Sequence, residues 1–107
     1  MTQGLEKLRE LAQATFGDMV KVVVDVERRV MAAGGRMHYD SEQVLLEDGS
    51  KQSNLWGANI YPDRAKDEYI EYTSLINIRP RDNNRGMEVS DQTMRDRIKK
   101  VIDSLIV

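Results

Sequence analysis

Cysteine is absent from these 107 residues. Disulfides, thiolate metal sites and a cysteine nucleophile are therefore excluded, and a reducing, cytoplasmic setting fits better than secretion. Histidine occurs once, as His38, which excludes a histidine-rich zinc site. No segment approaches the roughly 20 consecutive apolar residues that span a bilayer. Residues 1–16 carry Glu6 and Glu10 and no apolar stretch, so they do not read as a signal peptide. Neither charge dominates: the net charge is −2 and the pI about 5.4, which gives no global attraction for nucleic acid or anionic lipid. Gly34-Gly35 leads into a strand pattern, so no phosphate-cradling fingerprint exists, and no serine sits in Gly-x-Ser-x-Gly.

What is present reads as one domain, residues 1–107, long enough to bury roughly two-thirds of its unfolded surface. Charged residues make up 32% with both signs interspersed, which fits a soluble surface. Residues 69–80 carry the strongest strand chemistry, rich in Tyr, Thr and Ile. Alternation places Ile70, Tyr72, Ser74, Ile76 and Ile78 on one mostly apolar face. Tyr69, Glu71, Thr73, Leu75, Asn77 and Arg79 fall on the other. Residues 54–62 read as a second strand, holding Trp56 and ended by Pro62. Pairing the two as a hairpin requires Ile60 to share a face with Ile70. Trp56 and Ala58 then join the core side, while Asn59, Tyr61, Glu71, Thr73, Asn77 and Arg79 gather opposite.

Residues 20–33 alternate as a strand; a helical stripe through Val20, Val23, Val24, Val30 and Met31 also fits, but the valines favour a pleat. Gly34-Gly35 is a hairpin signal that predicts the pairs Ala33–Arg36, Ala32–Met37, Val30–Tyr39 and Arg29–Asp40. Residues 40–48 predict a short helix, with Asp40 and Gln43 as a capping box and Gly49 as the stop; a strand ending in an Asp48-Gly49 turn competes. Residues 87–89 read as a short return strand after a turn at 81–85. The ends predict helices: residues 2–16 with Thr2 as N-cap and Gly17 as stop, and a last helix capped by Asp91. The last helix has the stripe Met94, Ile98, Val101, Ile102, Leu105 and Ile106, and an Asp96–Lys100 pair. Together these give an α+β fold: an antiparallel sheet of about five strands with the N- and C-terminal helices packed on one face. The last helix is expected to cover Trp56, Ile60, Ile76 and Ile78.

The run Asn54-Leu55-Trp56-Gly57-Ala58-Asn59-Ile60-Tyr61-Pro62 and the run Ile76-Asn77-Ile78-Arg79-Pro80, with Asn84-Arg85 beyond, carry a family resemblance. They are similar to the motifs Asn-Leu-Trp-Gly-x-Asn-x-Tyr-Pro and Ile-Asn-Ile-Arg-Pro…Asn-Arg of a family of short bacterial proteins of unknown function. Asn83 stands where that pattern has glycine, and asparagine tolerates the same positive φ. The resemblance implies a single small domain and brings no activity.

Three constellations could carry chemistry. Arg79, Arg81 and Arg85, with Asn77, Asn83 and Asn84, could grip a phosphate or carboxylate; equally, they could be an exposed turn pairing with Asp82 or Glu71. His38 and Asp40, with Glu42 near them, could hold a metal or supply a base, against which stands an ordinary cross-strand pair between Arg29 and Asp40. Trp56, Tyr61, Tyr69 and Tyr72 could stack bases, but Trp56 and Tyr72 fall on the core side, and the acidic pI argues against nucleic acid. The expectation is a non-enzymatic binding or protein-interaction module without cofactor. Its ligand face would be Asn59, Tyr61, Asn77, Arg79, Asn84 and Arg85, taking an anionic small molecule or a protein partner, with a homodimer as one partner. The alternative is a small enzyme acting on an anionic metabolite, held by Arg79 and Arg85 with His38 or Glu71 as acid or base.

Overall fold

The computed structural model describes residues 4–106. In chain order it contains α1 (Leu5–Ala14), β1 (Val20–Asp25), β2 (Val30–Ala33), α2 (His38–Glu47), β3 (Leu55–Ile60), β4 (Ile70–Glu71) and α3 (Gln92–Leu105). Short 3₁₀ turns lie at Gln52–Asn54, Leu75–Asn77 and Pro80–Asp82. The fold is α+β, with three helices and a four-stranded antiparallel sheet in the order β2-β1-β3-β4. Four strands stand where about five were expected: residues 20–33 divide into β1 and β2, the strand expected after Gly34-Gly35 is replaced by α2, and the 87–89 strand is reduced to an isolated bridge between Thr73 and Glu88.

The core follows from alternation along β1 and β3. Val20, Val22 and Val24 share one sheet face with Trp56, Ala58, Ile60 and Met31, and Leu8, Ala12, Ile98, Val101, Ile102 and Leu105 close over it from α1 and α3. Each fully buried aliphatic side chain there contributes about 1.5–3 kcal/mol relative to exposure. The opposite face is not open. Val23 and Leu55 pack there against Leu45 of α2, with Val30, Ala32, Leu46 and Ile76 around them. Every residue of β3 is consequently buried. Ile76 belongs to this second cluster and Ile78 is exposed, so α3 does not cover either of them as expected.

The β1–β2 reversal also differs from expectation. It falls at residues 26–29, not at Gly34-Gly35, with Val22 opposite Ala33 and Asp25 opposite Val30. Asp25 Oδ1 accepts from the backbone N–H groups of Glu27 and Arg28, both at 2.9 Å, and Arg29 takes φ 58°. An aspartate that collects two following amides closes a tight turn without glycine. Gly34, at φ 99°, then turns the chain into α2, so none of the four expected pairs between 29–33 and 36–40 forms. His38, Asp40 and Glu42 stand on a helix instead of a strand. That helix stops at Gly49 as expected: with φ 102° there, Gly49 N–H reaches Leu46 O at 3.2 Å and Ser50 N–H reaches Leu45 O at 2.9 Å. Its start lies earlier than expected, with Met37 at the cap and Asp40 Oδ2 accepting from Met37 N–H at 3.2 Å.

Gly17, at φ 94°, ends α1, while the expected cap Thr2 lies outside the described residues. Asp91 caps α3 by accepting from Thr93 N–H at 3.3 Å. Asp96 bonds Gln92, and the i,i+4 ion pair of α3 is Lys99–Asp103 at 3.0 Å instead of Asp96–Lys100.

Residues 69–80 are the largest departure. Ile60 pairs with Ile70 and Asn59 with Glu71, so Ile60 and Ile70 share a face as expected, and there the strand ends. Gly57 explains the break. A Cβ on it would lie 2.5 Å from Ser74 Cβ, so Ser74 sits directly on the glycine and the chain crosses over β3 instead of running beside it. Ser74 Oγ accepts from Ile76 N–H at 3.2 Å and opens the turn Leu75–Asn77. The Asn77 carboxamide then stands in for the missing strand: Oδ1 accepts from Gly57 N–H at 2.8 Å and Nδ2 donates to Gly57 O at 2.9 Å.

Candidate functional site

The six residues expected to form a ligand face are divided among three places. Asn77 and Asn84 are buried, and their amides are spent within the chain. Asn84 Nδ2 donates to Asn77 O at 2.7 Å and to Gly86 O and Glu88 O at 3.0 Å, while its Oδ1 accepts from Ser90 N–H at 2.9 Å. Arg79 lies at the Leu55 end of β3, its guanidinium 4.0 Å from the Trp56 ring centroid, donating to Leu55 O and, at 3.1 Å, to Gln52 O. Burial lowers the Arg79 pKa, although Asp82 and Glu42 favour its charge. Arg85 is exposed beyond it. Asn59 and Tyr61 lie at the opposite end of β3, beside Glu71, whose Oε1 accepts from Asn59 Nδ2 at 2.7 Å and faces Tyr61 OH at 3.5 Å.

A groove of about 520 Å³ opens beside Asn59, between the start of α2 and the 73–76 segment. That is within the range of small-molecule sites. Its rim carries Met37, Tyr39, Leu75 and Met87, all between 42% and 68% exposed. These four side chains leave apolar surface in contact with solvent around the groove. Met19 and Ile76 also line it, and its polar groups come from Lys21 of β1, His38 of α2, Asn59 of β3, and Thr73 and Ser74.

The sheet has a definite electrostatic pattern here, of which Lys21 and Asn59 line the groove and Glu71 lies outside its lining. Lys21 lies opposite Asn59, and Asn59 opposite Glu71, so a cation, a carboxamide and a carboxylate form one row across the sheet. Among the described residues Lys21 has no ion-pair partner; its Nζ lies 5.1 Å from the Phe16 ring centroid. Asn59 is 7% exposed, and its Oδ1 is buried without a hydrogen-bond partner among the described residues. The amide orientation is fixed, because Nδ2 faces two acceptors, Glu71 Oε1 and Thr73 O. That oxygen is enclosed, and the Asn59 side chain acts on the neighbouring His38 ring, whose protonated form it favours. His38 is buried, with Nε2 2.9 Å from Ala58 O. Burial is the main reason its pKa lies below the ordinary histidine range; the Ala58 carbonyl and the Asn59 side chain raise it, and Lys21 lowers it. The imidazole is therefore neutral near pH 7 and donates from Nε2 to Ala58.

A larger hollow of about 880 Å³ lies between β2 and α2, but of its carboxylates Asp40 already accepts from Met37 and Asp48 from Arg28. A cleft of about 580 Å³ near Trp56 contains an indole Nε1 without a partner among the described residues, bordered by Asp82 and Asp91. Neither brings together charge, an unmatched acceptor and an exposed apolar rim. His38 and Asp40 are two apart on α2, hence on different sides of it; among the described residues no three His, Asp or Glu side chains are grouped closely enough to hold a metal. No helix of the described residues is long and apolar enough to cross a membrane. Lys21, Met37, Ser74, Leu75 and Met87 were not singled out from the sequence as site residues. Met37 read as part of the apolar face of the hairpin expected at Gly34-Gly35, and Met87 as part of the 87–89 strand, so neither stood out as a site residue.

Residues 2–105 match the family described as "Protein of unknown function (DUF5674)", and the chain belongs to it. No curated protein and no solved structure matches the chain.

Proposed function

We propose that this member of the DUF5674 family is a non-enzymatic binding module, and that its working surface is the groove between α2 and the 73–76 segment. The observation that carries this is the exposed apolar lining of Met37, Tyr39, Leu75 and Met87 beside Lys21, a cation with no ion-pair partner among the described residues. Such a site selects a small molecule with a polar head and an apolar body. Of the expected ligand residues, Asn59 alone lines this groove, with Tyr61 outside it beside Glu71; Arg79 and Arg85 would act separately, on an anion at the far end of β3. The enzyme reading needs Arg79 in one pocket with His38 or Glu71. Arg79 and His38 bond β3 backbone atoms three residues apart, at Leu55 and Ala58, about 10 Å along a strand, and Glu71 lies further along, opposite Asn59. A second copy of the chain covering the same rim is the competing interaction reading, and a cytoplasmic location goes with both.

A thermal-shift screen of small acids, amines, amino acids, nucleotides and divalent metals, run on the wild-type chain and on Leu75→Glu, tests the proposal. A ligand at 100 times its Kd adds about 2.7 kcal/mol of stability. The expected result is a shift with an amphipathic small molecule that Leu75→Glu abolishes. No shift in any class, with a dimeric mass in solution that Leu75→Glu makes monomeric, would replace ligand binding with self-association.

A further inference from the structure

Away from the groove, the turn between β1 and β2 and the outer face of α3 enclose a cleft of about 420 Å³. Val26 and Val101 form its apolar walls, and its charged lining is Glu27, Arg29, Arg97 and Lys100. Three cations against one carboxylate leave two positive charges in excess, in a chain whose net charge is −2. Arg97 reaches Glu27 Oε2 only at 3.6 Å, looser than the roughly 2.7–2.9 Å of a charge-assisted hydrogen bond. Arg29 and Lys100 have no ion-pair partner among the described residues. The Ser104 hydroxyl beside them already donates to Val101 O at 2.7 Å, so the cations are the donors left free. Two local arrangements here run against the stability of the fold. Arg29 sits at φ 58°, a backbone angle that glycine or asparagine adopts at lower cost. Arg97 and Lys100 are three residues apart on α3, so two like charges share one face of the helix. Both arrangements hold a cation at this cleft, and local rules are broken in this way where a ligand repays the cost.

We infer that this cleft binds a soluble phosphate dianion, either inorganic phosphate or a small phosphate monoester, gripped by Arg29, Arg97 and Lys100. A carboxylate would cancel one of the two excess charges and leave the other. A phosphate cancels both, and its oxygens accept from several directions at once, which suits guanidiniums arriving from the turn and from the helix. None of the large apolar side chains exposed among the described residues lines the cleft. A lipid headgroup would therefore find charge here without the apolar anchor that holds a protein on a membrane surface. The site stands or falls independently of the groove.

Calorimetric titration of the full chain with inorganic phosphate, glycerol 3-phosphate and acetate, at constant ionic strength and about pH 7.5 where the monoester is a dianion, tests this. Amide NMR under the same conditions locates the contact. Loss of one charge-assisted contact weakens binding by roughly tenfold or more. Both phosphates are expected to bind about tenfold or more tighter than acetate, with amide shifts centred on residues 26–29 and 97–104. Tighter binding of glycerol 3-phosphate than of phosphate would assign the cleft to a monoester, and equal binding to the phosphate group alone. Arg29→Asn and Lys100→Met should each weaken phosphate about tenfold or more. Asparagine keeps the backbone angle of the turn, so the urea midpoint of Arg29→Asn should stay in place while its phosphate affinity falls. A residue serving only the turn would show no such split. Phosphate binding no tighter than acetate, phosphate affinity unchanged in both variants, or amide shifts confined to other segments overturns the inference. Binding to phosphatidic acid vesicles with neither soluble phosphate bound would overturn it in favour of a membrane surface.

Discussion

Replacing Asn77 with alanine removes the side chain on which the 72–90 segment is hung. Asn77 is fully buried; its carboxamide accepts from Gly57 N–H at 2.8 Å and donates to Gly57 O at 2.9 Å and to Met87 O at 3.2 Å. Alanine leaves the Gly57 N–H and C=O inside the protein without partners. Each such group costs about 1–3 kcal/mol, so the expected loss is about 3–5 kcal/mol. For a domain whose whole stability is about 5–15 kcal/mol, that is a large fraction. Asn77→Asp should be no milder, because its second oxygen would face two carbonyls, Gly57 O and Met87 O, where the amide donated. Urea unfolding of the three chains measures the loss as a shift of midpoint at constant slope. Hydrogen exchange at Gly57 locates it, since that amide should become the fastest-exchanging in β3. A loss under about 1 kcal/mol, with the Gly57 amide still protected, would show that β3 does not depend on Asn77 for its missing ladder.

Gly57→Ala should destabilise by about 1–3 kcal/mol or more, since its Cβ would lie 2.5 Å from Ser74 Cβ; Ser74→Gly in the same chain should recover part of that, and additive losses in chemical denaturation would contradict the contact. Asp25→Ala strips acceptors from Glu27 N–H, Arg28 N–H and Ser50 Oγ, which donates to Asp25 Oδ2 at 2.6 Å. The expected cost is about 3 kcal/mol or more by thermal or urea unfolding, with Asn milder than Ala. His38, the single histidine, can be titrated by NMR without ambiguity. Its folded-state pKa is depressed, so as pH falls the unfolded chain takes the proton first. The stability it contributes is complete above about pH 6.5 and is lost as pH falls through that value towards the folded pKa. A midpoint at or above the free-histidine value would contradict the buried, neutral imidazole.

Period-two patterning was sufficient where both faces of a strand had a clear destination. The shared face of Ile60 and Ile70, the apolar face of β1 and the stripe of α3 were all legible for that reason. Side-chain groups that imitate backbone were not. The diglycine at 34–35 is the stronger local turn signal, yet the reversal is made by the Asp25 carboxylate capping two amides, which no glycine or proline advertises. The alternation of residues 70–78 reads as strand, but Asn77 supplies Gly57 with hydrogen bonds from a carboxamide and Ser74 fills the space above the glycine. A residue whose polar groups belong to the fold looks the same in sequence as one that faces a ligand. Asn77 and Asn84 were read as the second kind alongside Asn59, and the distinction appears only when each oxygen and nitrogen has been matched. The groove itself draws on β1, α2, β3 and the 73–76 segment, so no local pattern could have assembled it.

The methyl resonances of the methionines give the most direct test of where this chain binds. Met19, Met37 and Met87 line the groove, Met31 lies in the core under the helices, and Met94 borders the cleft beside Trp56. Titrating methyl-labelled chain with an amphipathic compound that stabilises it should move the first three and leave Met31 and Met94 in place. Movement of Met94 with Met19, Met37 and Met87 unchanged would put the binding surface at the Trp56 cleft instead and contradict the assignment of the groove.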